Sequence, residues 1–203
     1  MSTAEQGAAS VDSVEFGLRE AADHLAEPGP TDDKYSRGVL GVVSGSAVYP
    51  GAAVLTVEAA LRTGVGMLRY LGPTRAAEFV LHRRPEVVTA PGRVQAWLLG
   101  SGMPRPDEDG GADPEVTEHV ERAPAWLATA GAGDALAGIL GALLATHSRA
   151  VLDDPSLLGP LAATAAVLHG RAARAASGGG PFTVLDLCGR LGLVIAELLV
   201  LRA

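Results

Sequence analysis

Lysine is almost missing from this chain. Lys34 stands alone, and every other basic side chain apart from histidine is arginine. With 16 basic and 23 acidic residues the formal net charge is −7, which disfavours a nucleic-acid partner. Cysteine is as scarce: Cys188 is single, which excludes an intramolecular disulfide and a thiolate metal cluster. A lone cysteine of this kind reads as a small buried hydrophobe. The five histidines, His24, His82, His119, His147 and His169, show no metal-ligand spacing, so no metal-binding residue is assigned. The opening residues MSTAEQGAAS carry no basic then apolar signal pattern. The longest apolar runs, 135–145 and 191–201, are too short to span a bilayer, and Glu197 interrupts the second. The expectation is a cytoplasmic protein with no membrane partner.

At 203 residues and 48% hydrophobic, the chain is expected to fold as one domain with a sizeable core. Residues 1–33 are polar. A short helix is expected over 14–25, and the Pro/Gly-rich stretch 27–33 reads as a linker. The domain is assigned to 34–203. Residues 38–43 form a β-branched run ending in Ser44-Gly45-Ser46, as a buried strand does. Residues 51–66 have helical spacing, with Val54, Val57 and Leu61 on one face and Glu58 and Arg62 off it. A second strand over 67–71 completes a βαβ unit, which implies a parallel sheet. Further helices are expected over 74–82, 113–122, 161–176 and 190–201, and a third strand over 94–99. The stripe Leu136, Ile139, Leu140 and Leu143 marks one more helix. The stretch 103–123 is acidic, rich in Pro and Gly, and holds no strand; 124–127 is a poor strand candidate. The sheet is therefore short of strands, and apolar surface on the 136–145 helix is expected to lie uncovered.

Three small-residue loops remain: 44–53, 100–102 and 131–134. None is a P-loop, and neither Gly100-x-Gly102 nor Gly131-x-Gly133 completes the dinucleotide fingerprint. The first two follow strands and would meet at the carboxyl edge of a parallel sheet, where ligands bind. The third runs into a helix. Gly131 and Gly133 clear side chains from backbone N–H groups that carry the positive end of the helix dipole, which suits a phosphate. Asp134 sets a carboxylate beside that anion hole, placed to take a proton from a hydroxyl that attacks phosphorus. Taken alone, Gly-x-Gly-Asp reads equally as a turn with an Asp cap.

The surrounding motifs decide the matter. Lys34-Tyr35-Ser36-Arg37-Gly38, Val42-Val43-Ser44-Gly45-Ser46, Tyr49-Pro50-Gly51-Ala52-Ala53 and Ala60-Leu61-Arg62-Thr63-Gly64 follow in order. They are joined by Trp97-Leu98-Leu99-Gly100-Ser101-Gly102, the run from Trp126 to Gly138, Leu168-His169-Gly170-Arg171-Ala172 and Phe182-Thr183-Val184-Leu185-Asp186-Leu187. Together they resemble the ADP-dependent NAD(P)H-hydrate dehydratases of the ribokinase-like superfamily. The resemblance implies a three-layer α/β/α fold with a parallel sheet, here truncated. It implies a lyase that repairs hydrated NADH and NADPH, with ADP as phosphoryl donor, Mg²⁺ beside the nucleotide, and AMP and phosphate as products. Asp134 would be the catalytic base. Ala53 (with Ala52), Gly102 and Asp134 would line the hydrated dinucleotide, and Gly131 and Gly133 the nucleotide. A homo-oligomer, a tetramer in the family, is also implied. The chain departs from the family at Ala132, where Ser or Thr is usual, and at Ser101-Gly102-Met103 within the second loop. The larger departure lies near 103–127, where a strand-bearing block with a His-Pro-Gly-Glu motif and a Lys-Gly motif is absent. Two other readings stand beside the enzyme: a catalytically impaired nucleotide-binding remnant or partner subunit, and a different small-molecule kinase of the superfamily. The 34–53 block argues against the kinase.

Overall fold

Val39, Leu40 and Val42 are fully buried, as a central parallel strand requires. The structure, a computed structural model, describes residues 16–100, 102 and 123–202. Within them, β1 (Val39–Val43) lies between β2 (Met67–Tyr70) and β3 (Ala96–Leu99), all three parallel. Val88 adds an isolated parallel bridge outside β2, with Tyr70 N–H donating to its carbonyl at 2.9 Å. The helices are α1 (Leu18–Asp23), α2 (Pro50–Thr63), α3 (Thr74–Arg83), α4 (Ala132–Thr146), α5 (Ser148–Asp153), α6 (Leu158–Ser177) and α7 (Val184–Arg202). Each helix and strand expected within these residues is present, with shifted ends. The poor strand candidate 124–127 holds a 3-10 turn over Ala125–Leu127. The helix expected over 113–122 lies outside the described residues.

The strand pleat sorts the two faces of the sheet. Leu40, Val42, Leu68, Tyr70 and Leu98 pack with Ala53, Val57, Val80 and Ala142, so α2, α3 and α4 cover one face. A second cluster lies outside that layer, where α1, α6 and α7 pack on α2 and α4 through Ala59, Ile139, Leu143, Leu161, Leu168, Leu187 and Leu191. α4 comes very close to α2 because position 138 is glycine: a Cβ there would run into the Thr56 carbonyl.

Among the described residues, little covers the opposite face of the sheet. Gly41 leaves room for the Trp97 ring, and Arg69 donates to the carbonyls of Ala90 and Arg93 at 2.8 and 3.2 Å. Trp97 and Leu99 remain 53% and 72% exposed. Within the sheet, the exposed apolar side chains lie on β3. The uncovered surface expected on α4 is not found there, since Ala135, Ile139, Ala142, Leu143 and Ala145 are all buried. The reason is that α6 and α7 come from sequence beyond the shortened stretch and still cover α4. Two further expectations differ. Residues 18–25 were expected to stand outside the domain, yet Ala21, Ala22 and Leu25 are buried, and Arg202 donates to the Leu25 carbonyl at 2.9 Å. Glu58, expected off the buried face, is itself buried, because three arginines satisfy its charge.

Candidate active site

α4 runs antiparallel to β1. Its last turn touches Gly38, where β1 begins, and Gly131 at its start touches Leu55 of α2. Its N-terminus therefore opens at the carboxyl edge of the sheet, the edge that also carries the loops after β1 and β3. Pro50 starts α2 at the same edge, its missing N–H being no loss at a first helical position.

The first turns of α2 join the three loops. Gly102 has a φ of +65°, and a Cβ there would sit 2.6 Å from the Ala52 Cβ and 3.2 Å from the Gly45 Cα. The loop after β3 thus closes on the loop after β1 with no room for a side chain. Leu55, three residues after Ala52, meets Gly131; residues at that spacing are neighbours on one helix face. Gly45, Gly102 and the 131–134 loop consequently share one rim. Ala53 is different. It is fully buried, and a Cβ on Gly45 would lie 3.1 Å from its methyl group. It offers the shape of a floor and no open contact surface.

The α4 entry has the makings of an anion cradle. Gly131 is the N-cap residue, with φ +91° and no side-chain cap hydrogen bond. Gly133 is exposed, and no atom lies within 4 Å of where its Cβ would be. Asp134 sits half-buried in the first turn of α4. Under the neighbouring loop the Tyr70 hydroxyl donates to the Ser44 carbonyl at 2.6 Å, and burial pushes the Tyr70 pKa up to about 12. The Ser44 hydroxyl oxygen is buried with no hydrogen-bond partner among the described residues. On the outer flank of α2, Pro50, Gly51, Val54, Leu55, Phe79 and Leu185 line an apolar groove of about 410 Å³.

Sequence reasoning quoted His169 within a motif but gave it no role. It is 7% exposed on α6, its Nε2 has no partner among the described residues, and its ring reaches the Ala132 backbone at the α4 entry. Burial pushes its pKa below the ordinary histidine value, and the hydrogen bond with Ala132 opposes this only in part. The signal was available, because His169 falls on the same helical stripe as Leu161, Ala165, Leu168 and Ala172. Among the described residues no cluster of three or more His, Cys, Asp or Glu side chains could hold a metal ion. No helix there is long and apolar enough to cross a membrane.

A parallel sheet with small-residue loops gathered at its carboxyl edge defines an α/β class, and solved structures narrow it to the ribokinase-like fold: a ribokinase-like superfamily protein of Enterococcus faecalis superposes with a TM-score of 0.70 over 91% of this chain and 95% of that one, at 13% identity. A hypothetical protein of Streptococcus mutans superposes with a TM-score of 0.75 over 92% of this chain and 100% of that one, at 14% identity. An ADP/ATP-dependent NAD(P)H-hydrate dehydratase of Bacillus subtilis, co-crystallised with ATP/Mg²⁺, gives 0.73 over 93% and 100%, at 16% identity. More specifically, the family model for NAD(P)H-hydrate dehydratase matches residues 40–121 and 112–184, and the chain belongs to that family. A bifunctional NAD(P)H-hydrate repair enzyme of Corynebacterium glutamicum is 54% identical over 81 residues, 37% of this chain and 14% of that protein. Its Mycobacterium tuberculosis counterpart is 46% identical over 109 residues, 51% of this chain and 22% of the other. An ADP-dependent (S)-NAD(P)H-hydrate dehydratase of Xanthomonas campestris pv. campestris is 41% identical over 61 residues, 30% and 21% of the two. The chain thus spans less than a quarter of the length of these relatives, and the partial match fits an internal shortening.

Proposed function

We propose that this chain is a shortened ADP-dependent (S)-NAD(P)H-hydrate dehydratase of the cytoplasm. The observation that carries the reading is the uncapped α4 entry, with Gly131 and open Gly133, on the same rim as Gly45 and Gly102. Backbone N–H groups at such an entry would hold the β-phosphate of ADP and stabilise charge on the phosphoryl group as it transfers. Asp134 would take the proton from the hydroxyl of the hydrated nicotinamide ring as that oxygen bonds to phosphorus and AMP leaves. Loss of phosphate from one ring carbon and of a proton from its neighbour then restores the double bond. Gly102 and the floor built by Ala52 and Ala53 would admit the dinucleotide close to the backbone. Mg²⁺ would arrive with the nucleotide and screen its phosphates; the donors here suit that, since the cradle is built from amides and leaves the cation to phosphate oxygens. The family's tetramer is carried over as the assembly.

A specific observation favours the second reading, a catalytically impaired nucleotide-binding remnant or partner subunit. The chain has no lysine after Lys34 and no His-Pro-Gly-Glu motif. Charge-assisted contacts of this kind contribute about 1.5–3 kcal/mol each, so their loss weakens binding by orders of magnitude. A spectrophotometric assay of NADPH regeneration from its hydrate, with ADP and Mg²⁺, tests the enzyme directly. Calorimetric titration with ADP or AMP accompanies it. Measurable repair with low-micromolar binding establishes the enzyme; no repair together with weak binding establishes the remnant.

A further inference from the structure

A second cavity lies at the other end of the sheet. It holds about 450 Å³ and is lined in part by Tyr35, Arg93, Gln95, His147 and Arg149. Gln95 immediately precedes β3, and its Oε1 accepts the Val39 N–H at the start of β1 at 2.8 Å. His147 follows the last turn of α4. The cavity therefore opens at the amino edge, the full height of the strands from the Gly131–Asp134 loop.

Its two arginines and Gln95 supply hydrogen-bond donors. The amide N–H groups of the Gln95 side chain remain as donors. The His147 Nδ1 lies 2.9 Å from the Leu143 carbonyl, which makes Nδ1 the donor in that pair and Nε2 an acceptor in that tautomer. Arg93 and Arg149 form no ion pair among the described residues, and Arg93 lies over the Tyr35 ring at 5.8 Å, with Lys34 on the same ring at 5.3 Å. Asp33, the single carboxylate of the lining, already accepts the N–H groups of Tyr35 and Ser36 at 2.7 and 2.8 Å. Two lining cations, Arg93 and Arg149, thus face one carboxylate, and Arg93 already acts on it electrostatically. The α4 C-terminus adds a negative end worth about half a charge, and its Leu143 carbonyl is already covered by the His147 backbone N–H at 3.0 Å and by the His147 ring. The balance stays positive and rich in donors.

We infer that this amino-edge cavity is a second binding site, for a small oxyanion-bearing metabolite of the phosphate or carboxylate class. Arg93 and Arg149 supply the forked donors that match such groups, and Gln95 sets the register from the edge of the sheet. The site is separate from the proposed catalytic rim and does not depend on its activity.

The test uses the isotope-labelled full chain and two probes titrated separately, inorganic pyrophosphate and citrate. Saturable chemical-shift changes at Tyr35, Gln95 and His147 are expected with at least one probe, at a dissociation constant of about 1 mM or tighter. Whichever probe binds more tightly names the class. Arg149→Glu and Arg93→Glu should each weaken binding by about tenfold or more, and added salt should weaken it in the native chain. Arg149→Gln is the milder variant should a reversal disturb folding. No saturable change at about 10 mM of either probe, affinity unmoved by these substitutions, or changes confined to Gly131–Asp134 would overturn the inference.

Discussion

Replacing Glu58 by glutamine removes one charge from the middle of α2 and tests how the helices beneath the rim are tied. The Glu58 side chain has no exposed surface. It accepts from Arg62 Nε at 2.8 Å, from Arg83 at 3.1 and 3.3 Å, and from Arg84 Nε and a terminal nitrogen at 2.6 Å each. Burial alone would raise its pKa, but the hydrogen bonds from Arg84, Arg62 and Arg83 outweigh that and hold it at about 2, against an ordinary 4.5. At about 1.4 kcal/mol per pH unit, the difference corresponds to about 3 kcal/mol of stability. The sign is that of a depressed carboxylate: the contribution is full above pH 4.5 and is lost as pH falls toward 2. The arginines are 21–43% exposed, so water takes part of the strain when the charge is removed. Glu58→Gln should therefore fall at or below the low end of the 3–5 kcal/mol typical of a broken buried pair, at about 2–3 kcal/mol. Urea denaturation at pH 7 should show that loss, with a drop in Tm of roughly 5–10 °C. Repeated near pH 3, the gap between native chain and variant should narrow, since native Glu58 loses its advantage there. A variant within about 0.5 kcal/mol of the native chain at pH 7, or an equal gap at both pH values, would refute the reasoning.

Three other outcomes follow from the same structure. Asp134→Asn keeps the shape of the α4 entry and removes the proposed base, so any NADPH regeneration should fall by about a hundredfold or more; unchanged turnover removes Asp134 from the chemistry. Gly131→Ala forces a side chain into φ +91° and against Leu55, costing about 1–2 kcal/mol from the backbone alone. It should lower Tm and weaken ADP binding together, and a loss in neither would show that the cap can be rebuilt. His169 is held neutral by burial, so its contribution is present above the unfolded pKa of about 6.5 and declines as pH falls through and below it. An NMR titration should place its midpoint below 6.5, and His169→Gln should flatten the stability profile between about pH 7 and pH 5; a midpoint at or above 6.5 contradicts the burial argument.

The sequence was most legible where one periodicity served one face. The strands at 38–43 and 67–71 and the stripe from Leu136 to Leu143 declared themselves, and with them the parallel sheet and the helix behind it. The glycine loops were legible as an edge feature, because Gly131 and Gly102 stand where a side chain would collide. Glu58 was not legible: its three partners lie 4, 25 and 26 residues away, and a charged residue on a helix reads as exposed until those partners are brought to it. Residues 18–25 were misjudged for a similar reason. Their few apolar groups look too sparse for a core, and only the arrival of α6 and α7 gives Ala21 and Ala22 something to bury against. The exposed β3 face could not be foreseen, because it depends on which flank of the sheet loses its cover.

The shortening divides the site along a chemical line. The proposed anion cradle would be made from backbone amides, and its position depends on the contact of Gly131 with Leu55 and of Gly138 with Thr56. Both contacts join α2 to α4, and neither draws on the 103–122 stretch. What the chain lacks are the Lys-Gly and His-Pro-Gly-Glu motifs, which the family resemblance would assign to nucleotide and substrate. Backbone amides bind phosphate without choosing what the phosphate is attached to, whereas side chains placed around the reacting groups supply the preference for the transition state over the bound ground state. A cradle that keeps its fold and loses those side chains should therefore lose turnover more steeply than it loses affinity for phosphate. The two readings are separated by the ratio of those losses: an intact enzyme keeps binding and turnover in step, whereas a remnant retains weak phosphate binding long after turnover has gone.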